Sequence, residues 1–107
     1  MAKKVPFVLV YASEVKRHLR SIDSKYHSLI ETGIETQLLH NPGIETRNRK
    51  PLKRPISFGA DLELRLGPDN CIRVFYQILV ESHEVRILAI GVKEHNRLYF
   101  AGKEFEE

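Results

Sequence analysis

The sequence predicts an α+β fold in which an N-terminal strand and a helical hairpin pack on an antiparallel β-sheet. The stretch from Asp61 to Tyr99 holds three runs dense in Val, Ile, Leu, Phe and Tyr, and short turn segments separate them. Such runs are typical of an antiparallel meander. The preceding half begins with one short apolar run and then places its apolar residues at helical spacing. The predicted order is therefore one strand, two helices and three or four strands.

Length and composition are those of an ordinary globular protein, and residues 1–107 are expected to form a single domain. Hydrophobic residues make up 42% of the chain and charged residues 29%. The single cysteine, Cys71, cannot form an internal disulfide, so the reducing cytoplasm is the expected location. The apolar run near the N-terminus is too short for a signal peptide or a membrane span, and no membrane partner is expected.

The N-terminal half reads as a strand followed by helix. Residues Pro6 to Tyr11 contain Phe-Val-Leu-Val-Tyr, the predicted first strand. Ser13 is the expected N-cap, and Glu14 places a negative charge in the first helical turn, where it suits the helix dipole. Apolar residues at helical spacing continue to the Asn-Pro-Gly sequence at 41–43, which ends the helix. Two helices in a hairpin and one helix kinked near residues 21–24 both fit this pattern.

Side chains of the first meander run alternate between the two faces of the predicted sheet. The second run is apolar on both faces, which is typical of a central strand covered on both sides. Arg73 interrupts that run, and a charge there costs free energy unless a partner such as Glu63 or Glu81 pairs with it. The alternation places Leu62, Leu64 and Leu66 on one face, and Asp61, Glu63 and Arg65 on the other.

A basic segment lies within the predicted linker from Ile44 to Phe58. A linker of about 15 residues without periodicity is uncommon in a compact domain and is often functional. The segment carries five cations and no acid, more than the chain's net charge of +3, so the basic character is local. Such a patch fits binding of nucleic acid or another polyanion, and a solvated loop that is basic by accident fits equally. The cations are Arg47, Arg49, Lys50, Lys53 and Arg54.

The histidines and glycines predict no metal or cofactor site. One cysteine and scattered histidines form no close ligand cluster. The glycine-containing turns match no phosphate-binding loop or dinucleotide fingerprint. No cofactor, metal or small-molecule ligand is therefore expected. His95, between Lys93 and Tyr99, is the histidine best placed for acid–base chemistry near neutral pH.

The order and spacing of these segments resemble the RelE/ParE toxin superfamily over nearly the whole chain. The resemblance is carried by Leu-Lys in the basic linker, Leu-Glu-Leu-Arg-Leu-Gly, Ile-Arg-Val-Phe-Tyr-Gln-Ile, and Ile-Leu-Ala-Ile-Gly-Val-Lys followed by Tyr99. Members are small toxins of type II toxin–antitoxin systems. The RelE branch cleaves messenger RNA in the ribosomal decoding site, and the ParE branch inhibits DNA gyrase. The resemblance implies a RelE-like fold, a cognate antitoxin, and mRNA and the ribosome as partners.

The resemblance also implies a catalytic set consisting of Arg65, Arg73, Lys93 and Tyr99. Two positions depart from the RelE pattern, because Glu63 stands where a lysine is usual and Lys93 replaces an arginine. Glu63 is expected to act as an alternative base or to hold the rotamer of Arg65, and His95 is a further candidate acid–base group.

The expected chemistry is metal-free cleavage of mRNA, in which the 2′-hydroxyl attacks its own phosphate. That reaction needs a base, an acid and cations around the phosphorus. Arginine suits the last role, because its planar fork matches phosphate oxygens. The basic linker is expected to hold the RNA backbone. A gyrase inhibitor without nuclease activity and a degenerate relative that only binds RNA or protein remain the alternatives.

Overall fold

The computed structural model describes residues 5–53, 56 and 58–106. Within these residues one strand, two helices and then six strands follow one another, where three or four final strands were predicted. A 3-10 turn lies between the helices and another after the third strand. No helix within these residues is long and apolar enough to cross a membrane. The elements are β1 Val8–Tyr11, α1 Glu14–Arg20, α2 His27–Leu38, β2 Arg49–Pro51, β3 Leu62–Leu66, β4 Ile72–Leu79, β5 Glu84–Glu94, β6 Arg97–Phe100 and β7 Lys103–Glu104.

Six strands form an antiparallel path in the order β2-β3-β4-β5-β6-β7, as the meander pattern predicts. β1 adds a parallel pairing with the first half of β5, from Val8 opposite Glu84 to Tyr11 opposite Ile87. β6 pairs with the last residues of β5, from Val92 to Glu94. Because β4 occupies the other edge of β5, β1 and β6 share one edge. The segment of β5 between them has no neighbouring strand there.

The helical region forms two helices, which decides between the two alternatives that the sequence leaves open. A 3-10 turn at Ser24–Tyr26 separates α1 from α2, and Asp23 caps it by accepting a hydrogen bond from the Lys25 backbone N–H at 3.0 Å. Ser13 precedes α1 as predicted, but its side chain does not cap the helix. Ser13 has helical backbone angles, and its side chain makes no capping hydrogen bond.

The predicted irregular linker is partly wrong, because it contains β2. This short strand pairs with β3 in a register that places Arg49 opposite Leu64 and Lys50 opposite Glu63. It forms an edge of the sheet, where Pro51 is tolerated because one side of an edge strand needs no donor. Two residues of the basic segment therefore belong to the sheet.

The main core lies between the two helices and one face of the sheet, here called the helix-covered face. Tyr76 from the central strand β4 is fully buried in it, and its hydroxyl donates to the Pro42 carbonyl at 2.6 Å. Cys71 is half-buried against this core. The buried members are Val15, Ile22, Ile30, Ile34, Leu38, Leu62, Leu64, Ile72, Val74, Tyr76, Val85, Ile87 and Ile90.

The opposite face, here called the open face, carries a smaller aromatic cluster at one end. Phe75 of β4 is buried there against Ala60 and Ala89. The rings of Phe58 and Phe100 each lie 5.7 Å from that of Phe75, at steep interplanar angles. Since Phe75 and Arg73 alternate with the inward-facing Val74 on β4, the open face continues from this cluster to Arg73.

A β-bulge lies where β1 and β6 leave the edge of β5 free. Phe75 pairs with Ala89 and Tyr76 with Ile87, so Leu88 has no partner on β4. Nearby, the buried ring of His18 provides an acceptor for a backbone N–H on this edge of β5. Its Nδ1 accepts a hydrogen bond from the Ile90 N–H at 3.1 Å. His18 therefore binds α1 to the sheet at this point.

Lowering the pH is expected to destabilise the protein through His18. Burial lowers the pKa of His18, Arg17 lowers it further, and Glu14 opposes them. Between the lowered folded-state pKa and the unfolded value of about 6.5, the unfolded chain binds more protons than the folded chain. The stabilisation is therefore fully present above about pH 6.5, and it is lost as the pH falls toward the lowered pKa.

Urea denaturation at about pH 7.5 and about pH 5.5 tests this, with His18→Asn as the matched variant. The asparagine side-chain oxygen can still accept the Ile90 N–H but does not titrate. All other residues are the same in both proteins, so the difference between them isolates His18. An equal loss of stability in both proteins at low pH contradicts the prediction.

Candidate functional site

Two arginines from neighbouring strands meet at one carboxylate on the open face. Arg65 of β3 and Arg73 of β4 are directly opposite each other in the sheet. Arg65 contacts Glu63 Oε1 through Nε at 2.8 Å and Nη2 at 2.7 Å, and Arg73 Nη1 contacts the same oxygen at 3.1 Å. The predicted pairing of Arg73 is thus made with Glu63. Glu63 also holds the Arg65 side chain in place, one of its two predicted roles.

The cluster combines burial with an excess of positive charge. The side chains of Glu63 and Arg73 are only 10% and 12% exposed, whereas that of Arg65 is one-third exposed. Burial lowers the pKa of Arg73, Glu63 opposes this, and Arg65 lowers it further. A single carboxylate therefore balances two guanidinium groups in a partly dry site. Such a site attracts a second anion, since the net charge of the three groups is positive.

The backbone fixes the direction of the Arg73 fork. Its Nε donates to the Asn70 carbonyl at 2.8 Å, at the turn where β4 begins. Among the residues that the structure describes, Nη2 of Arg73 and Nη1 of Arg65 have no protein acceptor. These donors have no acceptor among the described residues while Glu63 holds the two arginines side by side, and guanidinium donors in such a pair suit phosphate oxygens.

An open groove of about 330 Å³ runs from this cluster toward β6. Lys93 lines it beside Glu63 and Arg73, as predicted for a cation of the same site. The far wall was not predicted from the sequence, and there Arg97 and Glu104 form an ion pair at 3.4 Å. The acidic residues of the C-terminal tail were the available signal. The groove is lined by Glu63, Arg73, Phe75, Lys93, Asn96, Arg97, Leu98, Glu104 and Phe105.

The sheet does not bring Tyr99 to this groove. Tyr99 pairs with Val92, which packs on the main core, whereas Lys93 pairs with Leu98. Cross-strand partners point to the same face, so Tyr99 lies on the helix-covered side and Lys93 on the open side. His95 is exposed in the two-residue turn between β5 and β6 and is not part of the groove lining.

The basic segment is divided by the structure. Arg47 and Lys53 are exposed, and Lys50 forms an ion pair with Glu45 at 3.3 Å. Lys50 and Lys53 line a second cleft that also reaches Glu63 and Arg65. Arg54 lies outside the described residues. Arg47 and Lys53 are therefore accessible from solvent.

The predicted role of Arg49 in polyanion binding must be corrected, because its side chain does not face solvent. It is 9% exposed, and its guanidinium donates to the Gln37 and Ile44 carbonyls. Its position opposite Leu64 turns it toward the helix-covered face, where it binds the C-terminal end of α2. Arg49 is therefore a structural cation.

Replacing Arg49 by methionine is expected to lower the free energy of unfolding by roughly 1.5–3 kcal/mol, because hydrogen bonds from a charged group to buried carbonyls are lost. Methionine preserves the length of the apolar stem. The matched variant Arg47→Met removes an exposed cation two residues away and is expected to change stability by less than about 0.5 kcal/mol. Urea midpoints measure both. Equal losses in the two variants contradict a structural role specific to Arg49.

Within the described part of the chain, no three His, Cys, Asp or Glu residues are placed together to hold a metal ion. The chemistry that the groove offers comes from its guanidinium, ammonium and carboxylate groups.

The fold is similar to that of a chain in the crystal structure of the RelBE2 toxin–antitoxin complex from Mycobacterium tuberculosis. The TM-score is 0.63 at 21% sequence identity, and the match covers 87% of this chain and 98% of that chain. The predicted RelE-like α+β fold is confirmed by this likeness. No family model matches the sequence. No curated protein matches it either.

Proposed function

We propose that this protein is the toxin of a type II toxin–antitoxin system and acts as an endoribonuclease on mRNA during translation. The observation that carries the proposal is the convergence of Arg65 and Arg73 on Glu63 Oε1, in a groove that Lys93 also lines. The structural likeness to a chain of a toxin–antitoxin complex supports an antitoxin partner for this chain.

In the proposed reaction the 2′-hydroxyl of a ribose attacks the adjacent phosphorus, and the bond from phosphorus to the 5′-oxygen of the next nucleotide breaks. The products are a 2′,3′-cyclic phosphate and a free 5′-hydroxyl. A base removes the 2′-hydroxyl proton, and an acid supplies a proton to the leaving 5′-oxygen. The negative charge on the non-bridging oxygens must be stabilised in the transition state.

The groove residues take these roles in the proposal. Free donors of Arg65 and Arg73 bind the non-bridging oxygens. Glu63, which contacts both arginines, is the proposed acceptor of the 2′-hydroxyl proton. Lys93 supplies positive charge and is the side chain best suited to protonate the leaving oxygen.

Tyr99 and His95 were predicted to belong to the site, but neither takes part in the proposed mechanism. Tyr99 lies across the sheet from Lys93, and His95 is in an exposed turn. Two cations of the basic segment, Lys50 and Lys53, extend the positive surface from the groove along the second cleft. Phosphate contacts of this kind add affinity without selecting sequence.

One observation favours a second candidate, a relative that binds RNA or protein without cleaving. Glu63 already engages both arginines, and Tyr99 does not reach the groove. In such a protein the cluster is an ion pair network that supports the sheet. Gyrase inhibition belongs to this non-nuclease class.

Primer extension on a defined mRNA in a cell-free translation reaction tests the proposal. New 5′ ends are expected when the purified protein is added to translating ribosomes. They are expected to be absent on the same mRNA without a ribosome-binding site. Intact mRNA with undiminished translation overturns the nuclease proposal, and inhibition of DNA supercoiling by gyrase in a parallel assay then identifies the alternative.

A further inference from the structure

A second cavity of about 400 Å³ lies between α1 and the aromatic cluster of the open face. It is separate from the groove of the proposed reaction, but the two share Phe105 as a wall. Neither the catalytic roles nor the basic segment accounts for it. Its lining consists of Ala12, Glu14, Arg17, His18, Phe58, Leu88, Ala89, Phe100 and Phe105.

The walls of this cavity are aromatic on several sides. Phe100 lies 5.2 Å from the His18 ring on one side and 5.4 Å from the Phe105 ring on another. Phe58 contacts both phenylalanine rings at 5.7 and 5.8 Å. The bulged Leu88 completes the apolar floor. A flat heteroaromatic ring is the ligand that such walls favour, because nucleobases stack on aromatic side chains.

The rim of the cavity carries one acid and one base from α1. Glu14 and Arg17 are three residues apart, so they lie on the same side of the helix. Both side chains are exposed, and their charges act on the neighbouring His18 ring, which also lines the cavity. A ligand in the cavity thus meets a carboxylate acceptor and a guanidinium donor at its edge.

We infer that this cavity binds a guanine base. Guanine presents two donors, N1–H and the N2 amino group, which a carboxylate can accept together, and an acceptor edge at O6 and N7, which arginine can donate to. Glu14 and Arg17 supply these partners. Adenine offers an unprotonated N1 to the carboxylate and an amino group to the guanidinium, so both contacts are lost.

The position of the cavity relative to the groove makes RNA the expected source of the guanine, and this part rests on the proposed function. Phe75, whose ring touches Phe58 and Phe100, is two residues from Arg73 on β4. The cavity and the groove also share Phe105 as a wall. An RNA strand with a phosphate at Arg73 can therefore bring a nearby base to the cavity.

Titration with guanosine, followed by backbone amide NMR signals, tests the site without relying on cleavage. Guanosine has no phosphate, so it does not report on the groove. Shifts of the Ala89 and Ile90 amides are expected, and adenosine is expected to bind about tenfold more weakly or worse. Glu14→Gln changes an exposed side chain and is expected to weaken guanosine binding by a similar factor. The control Lys16→Gln, exposed on the same helix, leaves binding unchanged.

Absence of guanosine shifts at Ala89 and Ile90, or equal affinity for guanosine and adenosine, overturns the site. So does Glu14→Gln binding guanosine as tightly as the unmodified protein. If guanosine binds as expected but no mRNA is cleaved during translation, the cavity stands and the nuclease proposal fails. If mRNA is cleaved with no base preference that Glu14→Gln alters, the nuclease stands and the link between cavity and RNA fails.

Discussion

Replacing Arg73 by alanine is expected to reduce the rate of mRNA cleavage by about 10²–10³-fold. The Arg73 side chain is only 12% exposed, and a hydrogen bond from its Nε to the Asn70 carbonyl fixes the direction of its guanidinium. A donor fixed in advance stabilises developing charge without reorganisation. Arg73→Lys keeps the charge but loses the planar fork, so its rate is expected to fall between those of the two proteins. Primer extension over a time course measures all three.

The matched control for this prediction is Arg86→Ala. Arg86 lies on β5, is exposed, and forms only an ion pair with Glu84 at 3.6 Å. Its removal is expected to leave cleavage unchanged. Because Arg73 is also part of the Glu63 ion pair network, urea denaturation must show that Arg73→Ala is folded under the assay conditions. A folded Arg73→Ala protein that cleaves at the original rate rules out Arg73 as a catalytic residue.

Replacing Leu64 by alanine is expected to lower the free energy of unfolding by about 2–5 kcal/mol. Leu64 is 0% exposed in the middle of β3 and belongs to the main core beneath the helices. Its truncation removes buried apolar surface and leaves a cavity that the surrounding side chains fill only in part. Since many domains have about 5–15 kcal/mol in total, this single change removes a large fraction of the stability. Urea denaturation monitored by circular dichroism measures it.

Leu66→Ala is the control within the same strand and on the same face. Leu66 is only half-buried at the end of β3, so its truncation removes less buried surface. A clearly smaller loss of stability is expected. Comparable losses for the two leucines contradict the view that the centre of β3, and not its end, holds the sheet to the helices.

The sequence predicted the strands and helices well where one local pattern controls them. Alternation in the first meander run placed Glu63 and Arg65 on the face opposite Leu64, and the structure agrees. The charge in the central strand predicted a buried partner for Arg73, and Glu63 is that partner. These predictions succeeded because strand side chains alternate with a period of two and because an unpaired buried charge is costly, whatever the rest of the fold.

Where the prediction from sequence failed, the environment of the residue depends on pairing between distant segments. Arg47 and Arg49 are equivalent in a linear sequence, yet the pairing of β2 with β3 turns Arg49 into the core. Nothing in residues 44–58 alone specifies that register. The β-bulge at Leu88, which accompanies the contact of α1 with β5, likewise arises only when the strands are aligned.

The sequence by itself therefore determined the α+β class and the order of the helices and the central strands, and it narrowed the partner of Arg73 to Glu63 or Glu81. Only the tertiary structure decided that Tyr99 lies across the sheet from Lys93, that Arg49 is structural, and that α1 meets the aromatic cluster to form a cavity. The physical reason is that a shift of one residue in strand register exchanges the two faces of a strand. Local periodicity specifies which residues alternate, and contacts between distant strands specify which face each set occupies.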